Sequence, residues 1–247
     1  MEVHHHADHR GKKNWRSYFW EFFMLFFAVF SGMLAEYKLE HIIEHQREIK
    51  YIRSLIKDIE LDLESMQRSY ETKNLQIRYF DSLKNLLKDG YENHLNDFYF
   101  YARQITRLAN FQYHDRTIQQ LKNSGNLRLI RNQNAADSIT IYDNEKIKGA
   151  LLQQDGEMEM RRFISYNLLG KIFDPFIWND MTDAAGQISR PVVSPSLYTN
   201  APILLNEFGF KVVTLRGTLS ATNRTIATAI QSAQRLIALL KKEYKLK

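Results

Sequence analysis

The 247 residues carry 34 Lys and Arg against 28 Asp and Glu, a surplus of +6, and 44% of them are hydrophobic against 25% charged. That composition can bury a core and is too apolar for a chain disordered throughout. With no cysteine, disulfides, thiolate nucleophiles and Cys-ligated zinc or iron–sulfur sites are excluded.

Residues 1–16 read as a short solvated tail. His4, His5 and His6 with His9 are weak candidates for a transition-metal or pH-sensing contact; a purification remnant would also contain such a run. Residues 17–37 read as a transmembrane helix. Tyr18 to Ala35 are aromatic, aliphatic or small except for Glu21, and eighteen residues in helix span about 27 Å, close to the thickness of a bilayer's hydrocarbon. Trp15, Tyr18 and Trp20 before the run and Tyr37 after it suit interfacial aromatic belts. A cleaved signal peptide fits poorly, because cutting after Ala35 leaves Met33 where a small residue is wanted. An uncleaved signal anchor is expected. Arg10, Lys12, Lys13 and Arg16 precede the run, against Lys38, Arg47 and Lys50 after it, a slight bias toward a cytoplasmic N-terminus and an extracytoplasmic body. Glu21 is costly if it faces lipid, which makes it the one membrane residue with functional potential. Snorkelling, or pairing with Arg16, is its blander reading.

Residues 38–247 read as a helical-bundle domain. Between Gly32 and Gly90 there is no glycine, and the first proline is Pro175, so one very long helix is permitted. Apolar residues recur at three and four from Ile42 through Ile49, Ile52, Ile56, Ile59, Leu63, Met66, Tyr70, Ile77 and Phe80 to Leu87, a coiled-coil-like seam interrupted at His45, Lys73 and Lys84. Since Glu40 with Glu44, Glu44 with Glu48 and Glu60 with Glu64 are like-charged neighbours, the apolar stripe rather than ion pairing is expected to hold this helix. His41 to His45 matches HxxEH, in which two histidines one turn apart hold zinc and a glutamate serves as base. On a stalk near the bilayer, His41 and His45 are weak metal candidates only.

Asp89-Gly90 predicts a stop, Tyr91 to Asn110 a second helix, and Asp115 the cap of a short third helix ended by Gly125. Asn134 to Phe173 has helical spacing, with Gly149, Gly156 and Gly170 as possible breaks. All four prolines fall in or at the edge of an irregular connection, 174–202. A last helix runs from Pro202 or Ile203 to Tyr244, and Lys211 to Leu215, though rich in β-formers, lies inside its pattern. The expected fold is all-α: a transmembrane helix continuing into an elongated antiparallel bundle, with two short helices packed at one end.

His4-His5-His6, Phe19-Trp20-Glu21-Phe22-Phe23-Met24-Leu25-Phe26, Ala35-Glu36-Tyr37, Leu39-Glu40-His41 and Gln46-Arg47-Glu48, with Thr117 to Ile130 as a second signature, resemble a family of single-pass membrane proteins of Gram-negative bacteria classed only as a domain of unknown function. The resemblance covers roughly residues 4–60 and 115–131. It implies that the histidines are native and that Glu21 belongs to the family's segment, and it supplies no activity, catalytic residue or cofactor.

The function expected is that of a non-enzymatic scaffold, adaptor or sensor module in the inner membrane, with the body in the periplasm. It would contact the lipid bilayer and form homo- or hetero-oligomers with other membrane proteins. Nucleic acid is an unsuitable partner, because basic residues are scattered among acidic ones. The alternatives are a channel or transporter subunit using Glu21 and, more remotely, a zinc hydrolase.

Overall fold

The computed structural model describes residues 14–246. They are all-α, with two isolated bridges, Phe173 to Leu197 and Thr182 to Ile188, in place of any strand among the described residues. The first helix, α1, runs unbroken from Trp15 to Asp89. Gly90, at φ +114°, takes a conformation that residues with a Cβ avoid, and so ends it. By contacts the chain divides into two units, with the boundary in sequence between Lys50 and Tyr51.

In the first unit most apolar residues of α1, Phe22, Leu25, Phe27 and Met33 among them, are exposed. Phe22, Phe26 and Phe30 stack in sequence at 6.2 and 5.8 Å, Trp15 lies over Phe19 at 6.1 Å, and Ser31 donates its hydroxyl to the carbonyl of Phe27. That last bond satisfies the one hydroxyl near the middle of the run inside the helix itself.

The second unit is built on three long helical stretches. α1 supplies residues from Tyr51 on. A nearly continuous run follows later: α4 (Gln133–Ile141), a π turn (Tyr142–Ile147), α5 (Lys148–Ile164), a second π turn (Ser165–Leu169) and α6 (Gly170–Ile172). The last helix is α8 (Pro202–Glu243). Pairings of Lys241 with Glu60, Asn223 with Asn74 and Arg216 with Asp81 set α8 antiparallel to α1. Lys73 with Glu157 and Gln76 with Arg161 set α5 parallel to it. Pro202 begins α8 as its first-turn proline, and Gly149 and Gly156 pass through α5 without breaking it.

Two expectations are corrected. The second helix stops early: a 3-10 turn (Glu92–His94), α2 (Leu95–Arg103) and another 3-10 turn (Gln104–Thr106) precede an extended stretch, 107–115. The short helices also part company. α2 joins one hydrophobic cluster with Phe80, Leu83 and Phe208, whereas α3 (Arg116–Asn123) joins another with Ile52, Ile59 and Leu236. The extended stretch carries the chain between them, running antiparallel along α1. The connection 174–202 holds a short helix, α7 (Pro175–Asp180), capped by the Asp174 carboxylate.

Candidate functional site

Glu21 is half-buried on α1, just before the uncharged run. His41 sets its ring edge-on to Tyr37 at 4.5 Å. His45 is more than half exposed and points Nδ1 at Glu48 Oε2, 3.3 Å away, so the motif's second histidine engages a carboxylate outside the motif. His4, His5 and His6 lie outside the described residues, and among the described residues no three His, Asp or Glu side chains form a group able to hold a metal. Glu21, His41 and His45 are therefore spread along one helix rather than gathered into a site.

The second unit concentrates polar groups where the sequence suggested an interruption. On α1, Asp58, Asp62, Ser65, Ser69, Lys73 and Gln76 recur at three and four residues, and all are buried. This polar seam runs beside the apolar one and takes the backbone of the extended stretch and of the first turn of α3. Gln76 donates to the carbonyl of Arg107 at 2.9 Å, and Ser69 to that of Ala109. Ser65 accepts from the amide of Gln112 at 2.8 Å, Asp62 from that of His114 at 2.6 Å, and Asp58 from that of Thr117 at 3.0 Å. A stretch with no helix or sheet of its own has its polar groups satisfied by side chains one helical turn apart. Hydrogen bonds to backbone groups thus hold α1 in this unit alongside the apolar stripe.

Lys73 is wholly buried and belongs to the interior. Its Nζ donates to Glu157 Oε2 at 2.6 Å. Arg161 meets the other carboxylate oxygen through Nε at 2.9 Å. Its Nη2 reaches Gln76 at 2.7 Å, and Nη1 reaches the carbonyl of Ile105 at 2.9 Å. Burial pulls the Lys73 ammonium below its ordinary range, and attraction to Glu157 recovers only part of that. Two cations share one carboxylate here, in an interior where an unpaired charge costs several kcal/mol.

A second network surrounds the first π turn. The π turn brings the adjacent Tyr142 and Asp143 both inward. Tyr142 donates its hydroxyl to Asp62 at 3.0 Å, while Asp143 receives Tyr113 and Lys122. The two carboxylates shift oppositely. Burial raises Asp62 above the usual carboxylate range despite its bonds from His114 and Tyr142. Burial pushes Asp143 the same way, but the bonds from Lys122 and Tyr113 outweigh it and hold its carboxyl low. The phenols of Tyr113 and Tyr142 are driven upward by burial and by these carboxylates, so both act as donors. The cavity they share with Leu55 and Ile59 measures about 10 Å³, room for about one water.

No protein-family model, curated protein or solved structure matches the chain.

Proposed function

We propose that this chain is a single-pass membrane protein whose helical body is a non-enzymatic scaffold, adaptor or sensor module in an assembly with itself or other membrane proteins. One observation carries the reading. The most apolar eighteen-residue window of α1 has a mean hydropathy of 1.6, and none of it is buried. A core helix of a soluble domain hides such a surface against its neighbours, whereas a bilayer covers it from outside. The slight excess of cations before the run supports a cytoplasmic N-terminus and a periplasmic body at a bacterial inner membrane. The resemblance of the N-terminal segment to a single-pass family agrees with that placement.

Alkaline carbonate extraction tests the anchor: the full-length chain is expected in the membrane pellet, and its release into the wash refutes the reading. Protease added to intact spheroplasts tests the orientation, with cleavage of the body expected. Reconstitution separates the scaffold from a transport subunit, because Glu21-dependent ion flux supports transport. Mass spectrometry of proteins co-isolated in mild detergent would name the partners.

A further inference from the structure

A cleft of about 610 Å³ opens between the first turns of α1 in the second unit and the end of α8. Among the described residues, Arg53, Lys57, Lys241 and Lys245 line it with a single carboxylate, Glu60, and Lys241 reaches that carboxylate at 3.3 Å. Ile56 and Leu246 give the cleft an apolar wall. Arg68, Arg116, Lys122, Arg190 and Arg216 each have a carboxylate partner. The side chains of Arg53, Lys57 and Lys245 have none among the described residues.

The backbone at Lys245 sharpens the point. Lys245 has φ +50°, the one positive value outside glycine among the described residues, in the left-handed region that glycine occupies at little cost. The amide of Leu246 bonds to the carbonyl of Lys241 at 2.9 Å, and that of Lys245 to Lys242 at 3.3 Å, the paired bonds of a Schellman turn. The turn folds Leu246 back onto the core. Glycine would close this turn with less strain; lysine adds a cation to the cleft. The carbonyls at the end of α8 favour Lys241 and Lys242, but they do not account for Arg53 and Lys57 on α1.

The geometry points to a binding site for a phosphoryl anion, held by Arg53, Lys57 and Lys245 with an attached apolar portion against Ile56 and Leu246. The phosphoryl group belongs either to a free phosphorylated solute or to a lipid headgroup. The site lies within the second unit, so the inference stands whether or not the apolar run of α1 crosses a bilayer.

Calorimetry on the full chain in neutral detergent tests it with two probes, inorganic pyrophosphate and dihexanoyl phosphatidic acid. At least one probe is expected to bind saturably and less tightly as salt is raised. Lys57→Gln and Lys245→Gly are each expected to weaken that binding about fivefold, roughly 1 kcal/mol. Because Lys245→Gly relieves the left-handed strain, it should unfold no earlier than the parent, which separates lost binding from lost folding. Pyrophosphate binding at least as tightly as the lipid supports a free solute, and the reverse order supports a lipid. Absence of binding by both probes, or equal binding by the parent and both variants, overturns the site.

Discussion

The carboxylate of Asp58 accepts the amide of Thr117 at 3.0 Å across 59 positions of sequence, so the first turn of α3 is capped by α1. Asp115 occupies the cap position itself, yet its side chain makes no capping bond and instead receives Gln119 at 3.2 Å. Asp58→Ala should therefore cost about 1–2 kcal/mol, as loss of a cap does, while Asp115→Ala should stay within about 0.5 kcal/mol. Urea midpoints of the two variants check this, and the reverse order would contradict the assignment.

Asp62 and Asp143 should respond to pH with opposite signs. Asp62 is raised in the folded chain, so its contribution is greatest below the ordinary carboxylate pKa and is lost as pH rises through the folded value. Asp143 is lowered; its contribution is present above the ordinary value and lost as pH falls through the folded one. Asp62→Asn should accordingly flatten the mildly acidic part of the stability profile with little cost at neutrality. Asp143→Asn should cost about 1.5–3 kcal/mol at pH 7, shrinking toward zero in strong acid. Thermal melts between pH 3 and 8 would show whether the two variants diverge.

In the interior trio, the two cations are unequal partners of Glu157. Lys73→Met leaves Glu157 with Arg161, still bonded at 2.9 Å, and removes the surplus charge, so it should be neutral or stabilising. Glu157→Leu strands both cations and should cost about 3–5 kcal/mol. Chemical denaturation of the pair decides the matter, and comparable losses in both variants would mean that the trio is not arranged as described.

Tyr99 ties the proline-rich connection to α2. Its hydroxyl donates to the carbonyl of Ser196 and accepts from the amide of Asp174, both at 2.8 Å. Tyr99→Phe takes the partner from the Asp174 amide and the Ser196 carbonyl, two part-buried bonds, at about 1 kcal/mol. Limited proteolysis should find cleavage between 174 and 202 accelerated while α1 and α8 stay intact.

The all-α fold, the stop at Gly90, the turn at Gly125 and the start of α8 at Pro202 were legible because each rests on local chemistry: periodicity, positive φ, or a missing amide. The polar seam was not, because Asp, Ser and Gln on a helix read as a solvated face. A subtler signal was present. The outward face of α1 carries long chains such as Lys57, Glu60, Glu64, Arg68 and Glu71, whereas the seam uses mostly short ones, Asp58, Asp62, Ser65 and Ser69, which suit close approach to another backbone. The extended stretch has a comparable mark. Ala109 and Phe111 are buried while Leu108, Asn110 and Gln112 are exposed, an alternation of two rather than three or four. The networks around Lys73 and Asp143 depend on partners 84 and 21 residues away, which no window along the chain brings together. Glu21, His41 and His45 stood out through residue type and local spacing, and neither foretells neighbours from elsewhere in the chain.

The two π turns on either side of α5 each widen the coil and so reset the rotational phase of everything downstream. Excising one residue from the first would swing the inner face of α5 by about 100°, carrying Gln154, Glu157 and Arg161 toward water. The aim of the ionic interior is thus governed by a local miscount in winding, which makes the segment far more tolerant of exchanged letters than of a changed number of them.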